Sequence, residues 1–285
     1  MAELIVACLR HADQRPEVDP LTGAVRRDER GAVLSTADAA ALEHALRLGE
    51  AWSAPVLAVC AAPAAADGLL RSAAARGASV LRVPVDREYV RDIALDERSL
   101  ALAVADAVRA VGAPDVVLCG DASTDRGTGA FPAYLAHALG AAQALGLVAL
   151  AAEGDELRGE RRLEGGRRER LRIPRPAVCS VEGAGVRLRR ASLPATLAAS
   201  TSPVPVAAVA VGPGPRVEVT SVGPYRPRTR VVPPPAGATS HERLMELTGV
   251  LVAHDPPQIV APASAAEAAD ALLDYLRRRG YLDEG

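Results

Sequence analysis

The sequence predicts an α/β fold, a mostly parallel sheet with helices on both faces, followed by a Pro-rich C-terminal arm and a helical tail. Two observations carry that prediction. Short uncharged runs of β-branched and aliphatic residues alternate with longer alanine-rich amphipathic stretches, the pattern of fully buried strands joined by crossover helices. The four cysteines, at 8, 60, 119 and 179, each close or sit inside such a run (LIVAC, VLAVC, VVLCG and AVCSV). They therefore mark four candidate strand ends.

In chain order, Leu4–Cys8 reads as the first strand. Glu17–Arg26 has turn chemistry at its centre, Asp19-Pro20-Leu21-Thr22-Gly23, and reads as a hairpin excursion. Asp38–Ala51 carries Leu42, Ala45, Leu46 and Gly49 on one helical face. Strands at Val56–Cys60, Val80–Val83 and Val116–Cys119 alternate with helices at Ala65–Arg76 and Leu95–Val111. Past residue 153 the chain is densely charged, with Gly165-Gly166 between Leu157–Leu163 and Arg167–Ile173, a second hairpin with a solvated face. From Pro203 to Pro235 proline and glycine recur every few residues, as in an extended arm. Thr239 or Ser240 then caps a helix containing Leu244, Leu247, Val250 and Leu251, and Ser264 opens another that stops at Gly280. The predicted organisation is an α/β domain over 1–200, with hairpin insertions near 17–27 and 153–173, an extended arm over 201–238, and a helical segment over 239–285.

Composition removes several functions. All 33 basic residues are arginine, so Schiff-base chemistry and the GxxxxGK[ST] phosphate loop are excluded. A formal net charge of -2 argues against a general nucleic-acid binder or a polybasic membrane anchor. With one Trp, one Phe and five Tyr there is little material for stacking bases. No CxxC pair supports a zinc ribbon or dithiol, and the five histidines (11, 44, 137, 241 and 254) lack ligand spacing. The start, Met1-Ala2-Glu3, does not resemble a signal peptide. The uncharged stretches 127–152 and 191–215 are broken by Pro, Gly and polar residues. No membrane insertion and a cytoplasmic location are expected.

Parallel sheets bind ligands in the crevice outside the carboxyl ends of their strands. That rule points to Ala7, Ala61 and the loop after Cys119. The loop, Gly120-Asp121-Ala122-Ser123-Thr124-Asp125-Arg126-Gly127-Thr128-Gly129, joins a strand to a helical stretch. Small residues there let backbone amides approach a phosphate, with Thr128 as hydroxyl donor and Arg126 as counter-charge. A plain strand–helix turn fits the same pattern. No G-x-S-x-G elbow, H-E-x-x-H or glycine-rich dinucleotide fingerprint is present. A hydrolase or transferase built on Asp125 and Arg126 would have no partner acid or base.

Three segments together resemble the beta subunits of electron transfer flavoproteins, the family that includes FixA-type subunits. Ser35-Thr36-Ala37-Asp38-Ala39-Ala40-Ala41-Leu42-Glu43-His44-Ala45-Leu46-Arg47-Leu48 is similar to N-P-F-D-x-x-A-L-E-E-A-L-R-L. Gly120 to Gly140 resembles G-K-Q-A-I-D-G-D-T-A-Q-V-G-P…A-E-x-L-G without gaps, and Leu188-Arg189-Arg190-Ala191-Ser192-Leu193-Pro194 echoes P-R-Y-P-S-L-P. Leu70-Arg71…Arg76-Gly77-Ala78 and the approach to Pro176-Ala177-Val178 support the match, which spans most of residues 3–200 in order.

The resemblance implies a nucleotide-binding, Rossmann-like electron carrier rather than an enzyme with its own substrate. It implies a heterodimer with an alpha subunit that holds redox-active FAD, and a dehydrogenase as electron donor. In this subunit it implies AMP or, as in FixA-like members, a second FAD. Carried over by position, the nucleotide would be lined by Ala7, Ser35, Thr36, Ala37, Asp38 and Ala61, and by Gly120, Asp121, Ala122, Asp125, Arg126, Gly127, Thr128 and Gly129. The Asp19–Gly23 hairpin and the short Asp125–Ala130 loop lean to the FixA type and to FAD. The Pro-rich arm and helical tail resemble beta subunits associated with mycofactocin redox systems. Family lysines are replaced by Leu9 and Asp121, the N-P-F by Ser35-Thr36-Ala37, a glutamine by Ala130 and a tyrosine by Arg190. Phosphate charge would therefore be met by backbone amides and by Arg10, Arg126 or Arg189, or by the partner. The reading from another class is a stand-alone nucleotide-binding signalling or stress protein of similar architecture.

Overall fold

A computed structural model of the chain describes residues 4–28, 31–85, 96–209, 211, 221, 223–224, 234–248 and 259–282. The chain forms two compact units, Met1–Tyr225 and Arg226–Gly285. The first opens with strand β1 (Leu4–Leu9) and the short pieces β2 (Ala12–Asp13), β3 (Glu17–Val18), β4 (Val25–Arg26) and β5 (Ala32–Val33). Then come α1 (Thr36–Trp52), β6 (Val56–Ala62), α2 (Asp67–Ala74), β7 (Ser79–Pro84), α3 (Glu97–Val111) and β8 (Pro114–Gly120). They are followed by α4 (Phe131–Leu139), β9 (Ala142–Glu153), β10 (Glu156–Arg162), β11 (Arg168–Ile173), β12 (Ala177–Val181) and α5 (Leu193–Ser200).

One eight-stranded sheet organises this unit, in the order β11-β10-β9-β12-β8-β1-β6-β7. From β9 to β7 every pairing is parallel, while β10 and β11 form an antiparallel extension. The alternation along β1 shows why these runs carry no polar residues. Ile5, Ala7 and Leu9 join the core beneath α1 and α2, and Leu4, Val6 and Cys8 join the core beneath α3 and α4. Both faces are covered, so every position must be apolar or small. A fully buried leucine such as Leu118 contributes about 1.5–3 kcal/mol relative to exposure. The four cysteines fall on β12, β8, β1 and β6, which are consecutive in the sheet, and all four are free and buried.

The sequence expectation differs from the structure in two places. The uncharged stretch 127–152 divides at Gly140, whose φ of +66° ends α4 and releases the chain into β9. Residues 193–200, read only as part of the broken uncharged stretch 191–215, form α5, capped by the Ser192 hydroxyl and packed on α2. Both hairpin excursions are present: β3 pairs with β4, and β10 with β11. Of the expected arm, Pro205, Ala207 and Val211 pair with β7. Arg82 N–H donates to Pro205 O at 2.9 Å, Ala207 N–H to Arg82 O at 2.8 Å and Val211 N–H to Pro84 O at 3.4 Å. Most of the remaining arm, residues 212–220, 222 and 225–233, lies outside the described residues, as do Leu95, Val250, Leu251 and His254.

The second unit contains α6 (Ser240–Leu247), which starts at a Thr239–Glu242 capping box, and α7 (Ala265–Arg278), capped by Ser264. Gly280 follows at φ +69°, the stop that was expected there. Among the described residues no helix is long and apolar enough to cross a membrane. Among them, too, no group of three or more His, Cys, Asp or Glu side chains is placed to hold a metal ion.

Candidate functional site

The chain adds β6 and β7 on one side of β1, then returns through α3 to add β8 on the other. β1 and β8 are neighbours whose following connections leave for opposite faces: α1 packs in one core layer and α4 in the other. Such a switch point opens a crevice at the carboxyl ends of the two strands. A crevice is found there, about 600 Å³ including its open mouth. Its floor is Cys8, Leu9 and Cys119, and its apolar side is Leu100, Val104 and Phe131. The loop after β8 supplies Gly120 to Ser123, Thr128 and Gly129. A second lobe of about 750 Å³ adjoins it and shares Arg10, Ala61 and Leu100. This second lobe is lined by Arg10, Arg27 and Arg126 together with Asp13, Asp28 and Asp125.

Asp38 ties the two strand ends together. Ser35 caps α1 by accepting from Asp38 N–H at 3.0 Å, and the same hydroxyl donates to Asp38 Oδ2 at 2.8 Å. The backbone N–H groups of Arg10 and Gly120, one from each side of the switch, also donate to the carboxyl. Burial pushes Asp38 up to about 6, against the pull of these bonds and of Arg10. Close approach dictates the residue opposite it. A Cβ on Gly120 would stand 2.9 Å from Asp38 Oδ1 and 3.1 Å from the Ala37 Cβ.

The loop is closed on itself. Ser123 N–H donates to Thr128 O and Gly127 N–H to Ser123 O, both at 2.7 Å, and the Ser123 and Thr128 hydroxyls are 2.9 Å apart. Gly127 holds φ +66°, and a Cβ on Gly129 would stand 2.8 Å from the Asp121 carbonyl oxygen. These glycines serve the loop's own closure before any ligand. Where the loop meets α4, the Thr128 hydroxyl and the Ala130 N–H (2.8 Å) both donate to the carboxylate of Glu97, the first residue of α3.

Arg10 and Asp125 stand between the lobes as a two-pronged pair, Nε–Oδ1 2.6 Å and Nη2–Oδ2 2.9 Å. Burial raises Asp125, but the Arg10 hydrogen bonds outweigh it and hold the carboxyl below its ordinary value. Burial, then Arg10, lower Arg126.

Of the residues singled out from sequence, Asp38, Ala61, Gly120, Asp121, Ala122, Thr128 and Gly129 line the first lobe, and Ala61, Asp125 and Arg126 the second. Ala7, Ser35, Thr36, Ala37 and Gly127 line neither. Ala7 is sealed inside β1, Ser35 and Ala37 are buried around the start of α1, and Thr36 faces Gly183. Arg189 is also engaged elsewhere, on Glu43 and Glu50. Burial would raise Glu43, yet donors from Arg189 and Arg47 bring it down to about 2. Burial lowers His44, which bonds the Leu150 backbone. Glu97 was not singled out from sequence. The signal available was topological: a helix that follows a parallel strand begins at the carboxyl edge of the sheet, where the crevice lies.

A family model described as the electron transfer flavoprotein domain matches residues 22–212. Protein FixA of Rhizobium meliloti is 28% identical over 206 residues, covering 70% of each chain. Protein FixA of Azorhizobium caulinodans is 28% identical over 209 residues, 70% of this chain and 73% of that one. Electron transfer flavoprotein subunit beta of Thermoanaerobacterium thermosaccharolyticum is 30% identical over 149 residues, 52% of this chain and 56% of that one. The family model takes in β8, the loop after it and the starts of α1, α3 and α4, while β1 precedes it, and the chain belongs to the electron transfer flavoprotein family, with FixA and beta-subunit proteins as its relatives.

Proposed function

We propose that this chain is the beta-type subunit of a heterodimeric electron transfer flavoprotein, and that its switch-point crevice holds a nucleotide. In this reading it pairs with an alpha subunit and relays electrons from a dehydrogenase to a downstream acceptor. The observation that carries the proposal is the crevice itself, built at the switch point by the loop that the family match covers. The donor set suits the group: the Thr128 hydroxyl and Ala130 N–H already hold a carboxylate, so they are placed for an oxyanion. Arg10 adds guanidinium charge where the lobes meet, and Arg126 adds it within the second lobe. The Asp19–Gly23 hairpin and the short Asp125–Ala130 loop, which resemble the FixA type, favour FAD over AMP.

A bound flavin would supply the electron-accepting and electron-donating chemistry. The residues of this chain bind and orient. Leu100, Val104 and Phe131 present an apolar wall that excludes water, and the Arg10–Asp125 pair fixes the loop against the end of β1. Co-expression with an alpha subunit tests the proposal. The expected product is a yellow heterodimer that releases FAD, or FAD and AMP, on denaturation. A colourless chain that never forms that complex would refute it.

A further inference from the structure

The best-placed anion donors of the crevice are already occupied by a side chain of the same protein. Each carboxylate oxygen of Glu97 takes one donor, Oε1 the Thr128 hydroxyl and Oε2 the Ala130 N–H at 2.8 Å. Both donors belong to the turn that leads into α4, where a helix start favours negative charge. The carboxylate is not a loose surface group that strayed there. Its helix is fixed at that end: Asp96 caps α3, accepting from Ser99 N–H at 2.8 Å and from the Ser99 hydroxyl at 2.7 Å. One turn on, Leu100 is buried in the crevice wall. A phosphate oxygen and the Glu97 carboxylate cannot both take these two donors, and at contact distance two negative charges repel.

We infer that Glu97 is a specificity-determining residue of this crevice: a built-in competitor for the phosphate position, which discounts the phosphate of an entering nucleotide relative to its nucleoside portion. The inference rests on the nucleotide reading above. A ligand gains affinity here from its apolar and hydroxyl-bearing parts, and its phosphate binds these donors only by displacing Glu97. Asp121, also in the lining, adds to the same negative field. Arg10, the arginine in this lobe's lining, is already committed to Asp125.

The test compares AMP with adenosine by titration calorimetry on the full chain, as wild type, Glu97→Gln and Glu97→Ala, with thermal unfolding as the check of fold. Removing the charge is expected to tighten AMP roughly tenfold or more, leaving adenosine within about twofold. Glu97→Ala serves if the glutamine variant does not fold, and should show the same split. The inference is overturned if AMP binds wild type and variants equally. It is overturned equally if the variants lose AMP, or lose adenosine, which would make Glu97 a ligand-holding group. If neither AMP nor adenosine nor FAD binds any of the proteins, the nucleotide reading itself falls, and this inference with it.

Discussion

Asp38 offers the sharpest test of the architecture, because a buried carboxyl links the two strands that define the crevice. Its folded value of about 6 stands above the ordinary 3.8, a difference worth about 3 kcal/mol. The sign follows from linkage. A carboxyl raised on folding costs nothing while it is protonated in both states, costs progressively more between 3.8 and about 6, and carries its full cost above that. Asp38→Asn keeps a neutral acceptor for the Ser35 hydroxyl and the two strand-end N–H groups but removes the titration. The stability of the variant minus that of wild type should therefore be about 1.4 kcal/mol more positive at about pH 7.5 than at about pH 5. Urea unfolding of both proteins at the two pH values measures this, and other titrating groups, His44 among them, cancel in the difference. An unchanged difference between the two pH values would refute the buried, destabilised carboxylate.

Three further outcomes follow from the geometry. Gly120→Ala places a methyl 2.9 Å from Asp38 Oδ1 and should cost about 1–3 kcal/mol in chemical unfolding. Arg189→Ala strips the main donor from Glu43 and should cost about 3 kcal/mol, the low end for a broken buried pair because Arg189 is 30% exposed. Since Glu43 is held at about 2, below its ordinary 4.5, that loss should be full near neutral pH and fade as pH falls through about 2. Trp52 donates to Gly154 O at 2.8 Å, and the Arg175 guanidinium carbon stands 4.6 Å from the centroid of the Trp52 ring. Trp52→Phe should cost about 1 kcal/mol in thermal unfolding, and in wild type the fluorescence of this single tryptophan should report unfolding of the first unit.

The strands were legible because burial on both faces leaves no room for polar residues, and Ile5, Val59, Leu118 and Val178 show that constraint directly. The position of the crevice followed from one topological rule applied to Cys8, Cys60 and Cys119. What sequence could not give was the pairing between distant segments. The insertion of β12 between β8 and β9 depends on long-range register, and nothing local in Ala177–Val181 encodes it. Arg10 meets Asp125 across 115 positions and Arg189 meets Glu43 across 146. In the sequence Glu97 is an ordinary first-turn acid, favourable to its own helix dipole. Its contact with Thr128 belongs to the tertiary fold. Gly127 and Gly129 were legible as small, but their use in closing the loop required its geometry.

The segment along β7 sets the shortest fragment that will behave in solution. A bare parallel edge presents free N–H and C=O groups and invites pairing with another molecule. Here Pro205, Ala207 and Val211 occupy those groups on Arg82 and Pro84. The opposite edge, β11, is guarded by charge instead, with Arg168, Glu169, Arg170 and Arg172 in sequence. A fragment ended near residue 202 would keep every strand of the sheet yet uncover the backbone groups of the β7 edge, and self-association is its expected fate. One extended past residue 211 should stay monodisperse by size exclusion.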